Sequence, residues 1–190
     1  MNTVNRRAFL AQGTSSAVLS VAAVGLLAGQ SSMARAQSGD ASKDVGILNV
    51  ALGLEHEAIN AYQLGAMSGL LQKPVLDVAV LFQSHHKAHR DALVTTIQKL
   101  GGKPIAEKSL NEYAKSLNAD TLKSQADVLA LAAKLELGAT NAYLGVIPAF
   151  SDRGLAQVSA RLAADETAHW TQLNAALGRP FPAGALSFGA

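Results

Sequence analysis

Ala164-Asp165-Glu166-Thr167-Ala168-His169-Trp170 carries Glu166 and His169 three residues apart. On a helix, that spacing puts both side chains on one face, one turn apart. A carboxylate and an imidazole so placed can hold one metal ion together. Such pairs also fall together by chance in many helices. The reading therefore depends on whether the rest of the chain supplies matching groups.

It does, because the chain contains a second copy of its own pattern. Leu54-Glu55-His56-Glu57-Ala58-Ile59-Asn60-Ala61-Tyr62 aligns with Leu135-Glu136-Leu137-Gly138-Ala139-Thr140-Asn141-Ala142-Tyr143 at an offset of 81. His85-His86-Lys87-Ala88-His89 aligns with Asp165-Glu166-Thr167-Ala168-His169 at an offset of 80, and Leu93 then meets Leu173. Two helical hairpins related in this way would pack as a pseudo-two-fold pair, with equivalent positions converging on the axis.

Apolar spacing outlines the helices. A helical pattern begins near Asp44, a plausible N-cap, and runs along Leu48, Leu52, Glu55, Ile59, Tyr62 and Ala66. Ser68-Gly69 and Pro74 mark a turn. The second helix, about 75–100, has the seam Val75, Ala79, Phe82, His86, His89, Leu93, Ile97 and Leu100, and Gly101-Gly102 with Pro104 stops it. Residues 101–123 form a longer connection, with a short helix expected over 110–117. The third helix, about 124–147, places Leu129, Ala132, Glu136, Ala139, Tyr143 and Ile147 on one face. The fourth, about 152–177, carries Leu155, Ser159, Leu162, Glu166, His169, Leu173 and Leu177. No β alternation of any length occurs. The pattern predicts an all-α four-helix bundle, two pseudo-symmetric hairpins joined by a long crossover, over residues 44–178, with an irregular tail at 179–190.

Glu55, His86, His89, Glu136, Glu166 and His169 all fall on these apolar seams. Burying an unpaired carboxylate costs several kcal/mol, so three buried together require positive charge nearby. The seams offer few cations, and a bound divalent or trivalent metal would satisfy the whole set. His56 and Glu57 lie off the seam and read as surface residues, as do Gln63 and Lys87; Trp170 reads as helix packing.

The bulk composition narrows the function. Removing Arg6, Arg7 and Arg35 with an N-terminal leader leaves 13 basic against 14 acidic residues, a net charge of −1. That balance gives no electrostatic case for nucleic acid or an anionic membrane surface. The absence of cysteine excludes disulfides, thiolate metal sites, iron–sulfur clusters and covalent haem. Met67 alone follows the expected cleavage point, which argues against a methionine-rich copper site.

Residues 1–36 read as an export signal: Arg6-Arg7, then Ala8-Phe9-Leu10, an apolar run from Ala17 to Ala28, and Ala34-Arg35-Ala36 as a small-x-small cleavage site. The apolar run falls well short of the ~20 residues needed to span a bilayer. Asn5-Arg6-Arg7-Ala8-Phe9-Leu10 resembles a twin-arginine signal, with Asn5 where Ser or Thr is usual. The expectation is export to the periplasm by the twin-arginine machinery, with no membrane attachment after cleavage. An ordinary secretory signal or an uncleaved anchor is the competing reading. Residues 37–43 read as a flexible linker.

The seam residues resemble those of the ferritin-like superfamily of carboxylate-bridged di-iron bundles, which take one Glu from each of two helices and Glu-x-x-His from each of the other two. The resemblance spans residues 44–178, and the leader is similar to that of exported bacterial ferritin-like proteins. It implies Glu55 and Glu136 as single glutamate ligands, Glu166-Thr167-Ala168-His169 as the helix-four motif, and His89 as its helix-two counterpart. It further implies Tyr62 and Tyr143 as outer hydrogen bonders or radical traps, and Asp165 as the group that orients His89. Helix two departs from the pattern: His86 stands where the bridging Glu belongs, and His85 where the Asp belongs. An imidazole has one lone pair per ring nitrogen and does not bridge as a carboxylate does. The centre would then hold a metal pair with one carboxylate bridge at Glu166, or a single metal at Glu136, Glu166 and His169. The lower ligand charge makes zinc, manganese or copper more plausible beside iron.

The resemblance implies three functions. One is an oxidant sink that reacts with dioxygen or peroxide, or oxidises iron, in stress defence. Another is a metal binder without turnover. The last is a structural bundle with a degenerate site. A monomer or dimer is expected, since nothing in the sequence marks a shell-forming surface.

Overall fold

The computed structural model describes residues 38–189. The chain forms α1 (Ser38–Met67), α2 (Lys73–Lys99), the short α3 (Leu110–Ser116), α4 (Gln125–Val146) and α5 (Arg153–Ala176), with 3₁₀ turns at Ala119–Thr121 and Ile147–Ala149. No strand occurs among the described residues. Helix α1 packs on α2 and α4 packs on α5, and the two hairpins meet where α1 crosses α4. This is the all-α bundle of two hairpins and a long crossover that the apolar spacing predicts.

Local chemistry fixes the helix ends. Ser124 caps α4, and Asp152 caps α5, its Oδ1 accepting from the backbone N–H groups of Gly154 and Leu155 at 2.6 and 3.1 Å. Helix α3 opens on a capping box between Ser109 and Glu112. Helix α2 starts with Pro74 in its first turn and ends at Gly101, whose φ of +77° closes the last carbonyls through Gly102 N–H to Ile97 C=O at 2.8 Å.

Three expectations change. Residues 38–43, read as a linker, belong to α1. Asp44 therefore lies inside the helix and does not cap it. It is buried, and its carboxylate accepts from the backbone N–H groups of Ser151 and Asp152 at 2.8 and 3.1 Å, so it ties α1 to the start of α5. His56, read as a surface residue, is 4% exposed. The reason is tertiary: the crossover lies along the face of α1 that carries Asn49, Gly53, His56 and Asn60. Asn49 bonds Lys103 C=O and Ile105 N–H, Gly53 meets Ile105, and Asn60 donates to Glu107 at 2.6 Å. Helix α1 is thus covered on two faces.

The core consists of two apolar layers with a polar layer between them. One is built around Leu48, Leu52, Leu93, Ile97, Leu155 and Leu162. The other is built around Tyr62, Phe82, Leu129, Ala133 and Leu173. The predicted seams are fully buried in their middle and half-buried toward the helix ends, at Ala66, Val75, Ala79, Ala132, Ile147 and Leu177; Leu100, read as the last seam residue of the second helix, is instead exposed at its C-cap. The tail lacks helix and folds back: Phe188 meets Trp170 edge-on, ring centroids 5.2 Å apart, and Gly189 N–H donates to Asn141. The segment read as an export signal lies outside the described residues. No helix among the described residues is long and apolar enough to cross a membrane.

Candidate metal centre

Each long helix delivers its polar seam residues to the layer between the two apolar clusters. Helix α1 supplies Glu55, α2 supplies His86 and His89, α4 supplies Glu136, and α5 supplies Glu166 and His169. None of these six is more than 8% exposed. The structure brings all of them together. Glu55, His86, His89 and Glu166 can each offer one ligand atom within 4.8 Å of the others, and so can His86, Glu136, Glu166 and His169. His86 and Glu166 belong to both groups, so the two overlap at the centre of the bundle.

The histidines face inward in the same way. His89 Nδ1 lies 3.2 Å from Glu166 Oε1 and 3.6 Å from Glu55 Oε1. His169 Nδ1 lies 3.2 Å from Glu166 Oε2 and 3.4 Å from Glu136 Oε2. Their Nε2 atoms point outward, that of His89 to Asp165 Oδ2 at 3.3 Å and that of His169 to His85 Nδ1 at 2.9 Å. His86 stands between the two halves, its Nδ1 2.8 Å from Glu55 Oε2 and its Nε2 3.2 Å from Glu136 Oε1.

The tyrosines cross between hairpins. Tyr62 of the first donates to Glu136 of the second at 2.5 Å, and Tyr143 of the second donates to Glu55 of the first. Burial and the adjacent Glu136 and Glu55 carboxylates push both phenols well above their ordinary range, which keeps the donated protons in place.

The electrostatics follow from packing carboxylates against imidazoles in a dry layer. Burial opposes ionisation of Glu55, but the hydrogen bond with His86 and the nearby imidazole of His89 outweigh it and hold its carboxyl at about 2. Glu136 is lowered in the same way by His169 and His86 against burial. Burial lowers His86 while Glu166, Glu136 and Glu55 raise it, to about 10. His89 and His169 are also raised by their carboxylates against the cost of burial. Glu166 is pushed up, first by burial and then by the charge of Glu55.

The donor set suits a hard or borderline cation: carboxylate oxygen and imidazole nitrogen, with no sulfur. Three of its buried atoms, His89 Nδ1, Glu136 Oε2 and Glu166 Oε1, have no hydrogen-bond partner although each faces other members of the set. A cation bound among them would satisfy all three at once.

Sequence reasoning missed two residues here. His85 holds the outer nitrogen of His169, and the repeat could have found it, since Asp165 and His89 map onto His85 and His169. Phe82 stacks on His169, with ring centroids 4.1 Å apart. Glu57 belongs to neither group. Gln63 is half-buried and accepts from Gln83 at 3.1 Å, and Lys87 is exposed.

A helical bundle with a buried glutamate and histidine layer defines the class. The chain belongs to the ferritin-like domain family, whose sequence model matches residues 43–179. The fold is similar to the crystal structure of a conserved hypothetical protein from Mycobacterium tuberculosis, with a TM-score of 0.61 at 22% identity over 78% of this chain and 99% of that one. No curated protein matches the chain.

Proposed function

We propose that the chain is an exported metal-binding protein whose buried centre holds a metal pair, iron first, and manganese or zinc in its place. Glu55 and His89 would hold one position and Glu136 and His169 the other, with Glu166 between them. His86 would add one nitrogen to either. The observation that carries this reading is the trio of unpartnered buried atoms, His89 Nδ1, Glu136 Oε2 and Glu166 Oε1, within a layer that already balances carboxylate against imidazole. Bound iron or manganese would supply redox chemistry toward dioxygen or peroxide. Tyr62 and Tyr143 hold protons at Glu136 and Glu55. Asp165 and His85 fix the rings of His89 and His169. Ferrous iron oxidation or peroxide consumption in stress defence is the activity this centre suits. The twin-arginine pattern at Arg6-Arg7 supports export to the periplasm.

A second reading rests on His86. Its ring spans Glu55 and Glu136, with both nitrogens engaged. A protonated imidazole there supplies the positive charge that a metal would supply, which favours a single-metal or empty site without turnover.

Metal content of the mature protein, measured by mass spectrometry beside Glu136→Ala, separates the two. About two ions per chain, lost in the variant, supports the pair. About one supports the single-metal reading. No metal, with a melting curve unmoved by added iron, manganese or zinc, overturns metal binding, because a ligand at a hundredfold excess over its Kd would add about 2.7 kcal/mol.

A further inference from the structure

The repeat that duplicates the metal-facing residues also duplicates a cavity. One of about 580 Å³ lies between α2 and α5, and one of about 170 Å³ lies toward the other end of the bundle. Their walls are related by the two repeat offsets: Leu48 corresponds to Leu129, Leu93 to Leu173, and Val158 to Val78. The cavities differ at their inner ends. His85, His89 and Asp165 line the larger, so it reaches the buried centre. Neither His85 nor His169 lines the smaller.

One pair of equivalent residues accounts for the difference. Leu162 lines the larger cavity. Its counterpart, Phe82, lies flat on His169 at 4.1 Å and 26°, and meets Tyr62 edge-on. A phenyl ring fills in one repeat the space that a leucine leaves open in the other.

The wall of the open cavity describes its ligand. Most of it is aliphatic, and its hydroxyl groups are engaged: Ser159 donates to Tyr143 C=O at 2.7 Å, Thr96 to Ala92 C=O at 2.8 Å, and Tyr143 to Glu55. Asp165 faces His89. Besides the imidazoles of His85 and His89, the latter engaged by Asp165 and the buried carboxylates, the wall carries one basic side chain, Arg161; it is half-buried and makes no ion pair among the described residues. The volume falls in the range of small-molecule sites, roughly 300–1,000 Å³.

We propose that the cavity between α2 and α5 binds an apolar monocarboxylate, its hydrocarbon body against Leu155, Val158 and Leu162 and its carboxylate on Arg161. The site is independent of the metal reading, because its wall is complete without an ion.

The test is calorimetric titration of decanoate, with decanol as the neutral probe, into the mature protein stripped of metal by chelation. One decanoate should bind per chain. Leu162→Phe, which copies the closed repeat, should weaken it at least about tenfold, Phe82→Leu should not weaken it, and Arg161→Gln should weaken decanoate about tenfold while leaving decanol unchanged. Ala88→Phe, at a half-buried wall position, makes the same test if Leu162→Phe fails to fold by circular dichroism. Absent saturable decanoate binding, affinity unchanged in the folded cavity-filling variants, or equal affinity for both probes with no effect of Arg161→Gln would each overturn the proposal. Metal content, measured separately, decides the metal reading: decanoate binding beside a centre that takes no metal leaves this site standing.

Discussion

The hydroxyl of Tyr62, on α1, lies 2.5 Å from Oε1 of Glu136, on α4, so the tyrosine of the first hairpin serves the carboxylate of the second. The repeat returns the favour through Tyr143 and Glu55. These crossed bonds join the hairpins through their polar layer. Removing either donor leaves a buried carboxylate oxygen short of a partner. Tyr62→Phe should therefore lower the unfolding free energy by ~1–3 kcal/mol in chemical denaturation, with the helical spectrum intact. A loss below a few tenths of a kcal/mol would mean that water replaces the hydroxyl.

Acid and alkali should each destabilise the metal-free protein, through different groups. His86 is raised from 6.5 to about 10, so the stability it adds is complete below pH 6.5 and is lost as the pH rises toward 10. Glu55 is lowered from 4.5 to about 2, so its contribution is complete above pH 4.5 and is lost as the pH falls toward 2. Glu166, raised by burial, subtracts from stability above 4.5 and draws the maximum toward the acid side. The metal-free melting midpoint should peak between about pH 4.5 and 6.5 and decline toward pH 10. Metal ligation takes neutral imidazole, so added zinc should raise the midpoint more at pH 8 than at pH 6. A metal-free midpoint that climbs from pH 6.5 to 9 would contradict this charge balance.

Most of this architecture was legible in the sequence because helical periodicity and the repeat are both local signals. Glu55, His86, His89, Glu136, Glu166 and His169 stood on apolar seams, and the bundle buries every one. What escaped the sequence is tertiary. His56 lies off the seam and is buried only because the crossover lies over it. Asp44 resembles a helix start, yet α1 begins at Ser38 and the carboxylate serves α5 instead. The bond from His85 to His169 required applying the repeat to contacts as well as to residue types.

His86 is the residue on which the metal stoichiometry turns. Its two nitrogens face Glu55 at 2.8 Å and Glu136 at 3.2 Å, across the middle of the centre. His86→Glu would replace a ring that cannot bridge with a carboxylate that can, and would add one negative charge to the set. Iron per chain after anaerobic loading should rise relative to the parent, with tighter retention against a chelator. Unchanged iron content in a folded His86→Glu protein would mean that position 86 does not limit occupancy.

Asp44 offers a test of how the two hairpins are held at their outer end. Its side chain is 3% exposed, and both oxygens accept backbone N–H groups, from Ser151 and Asp152, at the residues that lead into α5. Those donors precede the first turn of α5, while Asp152 itself caps that turn at Gly154 and Leu155. Asp44 thus holds the residue that caps the helix carrying Glu166 and His169. Asp44→Ala removes the acceptors of two charge-assisted hydrogen bonds, from the N–H groups of Ser151 and Asp152, and should cost about 2 kcal/mol of stability. Asp44→Asn, which keeps one acceptor oxygen, should recover part of it. Because the centre lies several turns along α5, metal content should survive the substitution even as the melting midpoint falls. Loss of metal at an unchanged midpoint would mean that Asp44 positions Glu166 and His169 as well as the start of their helix.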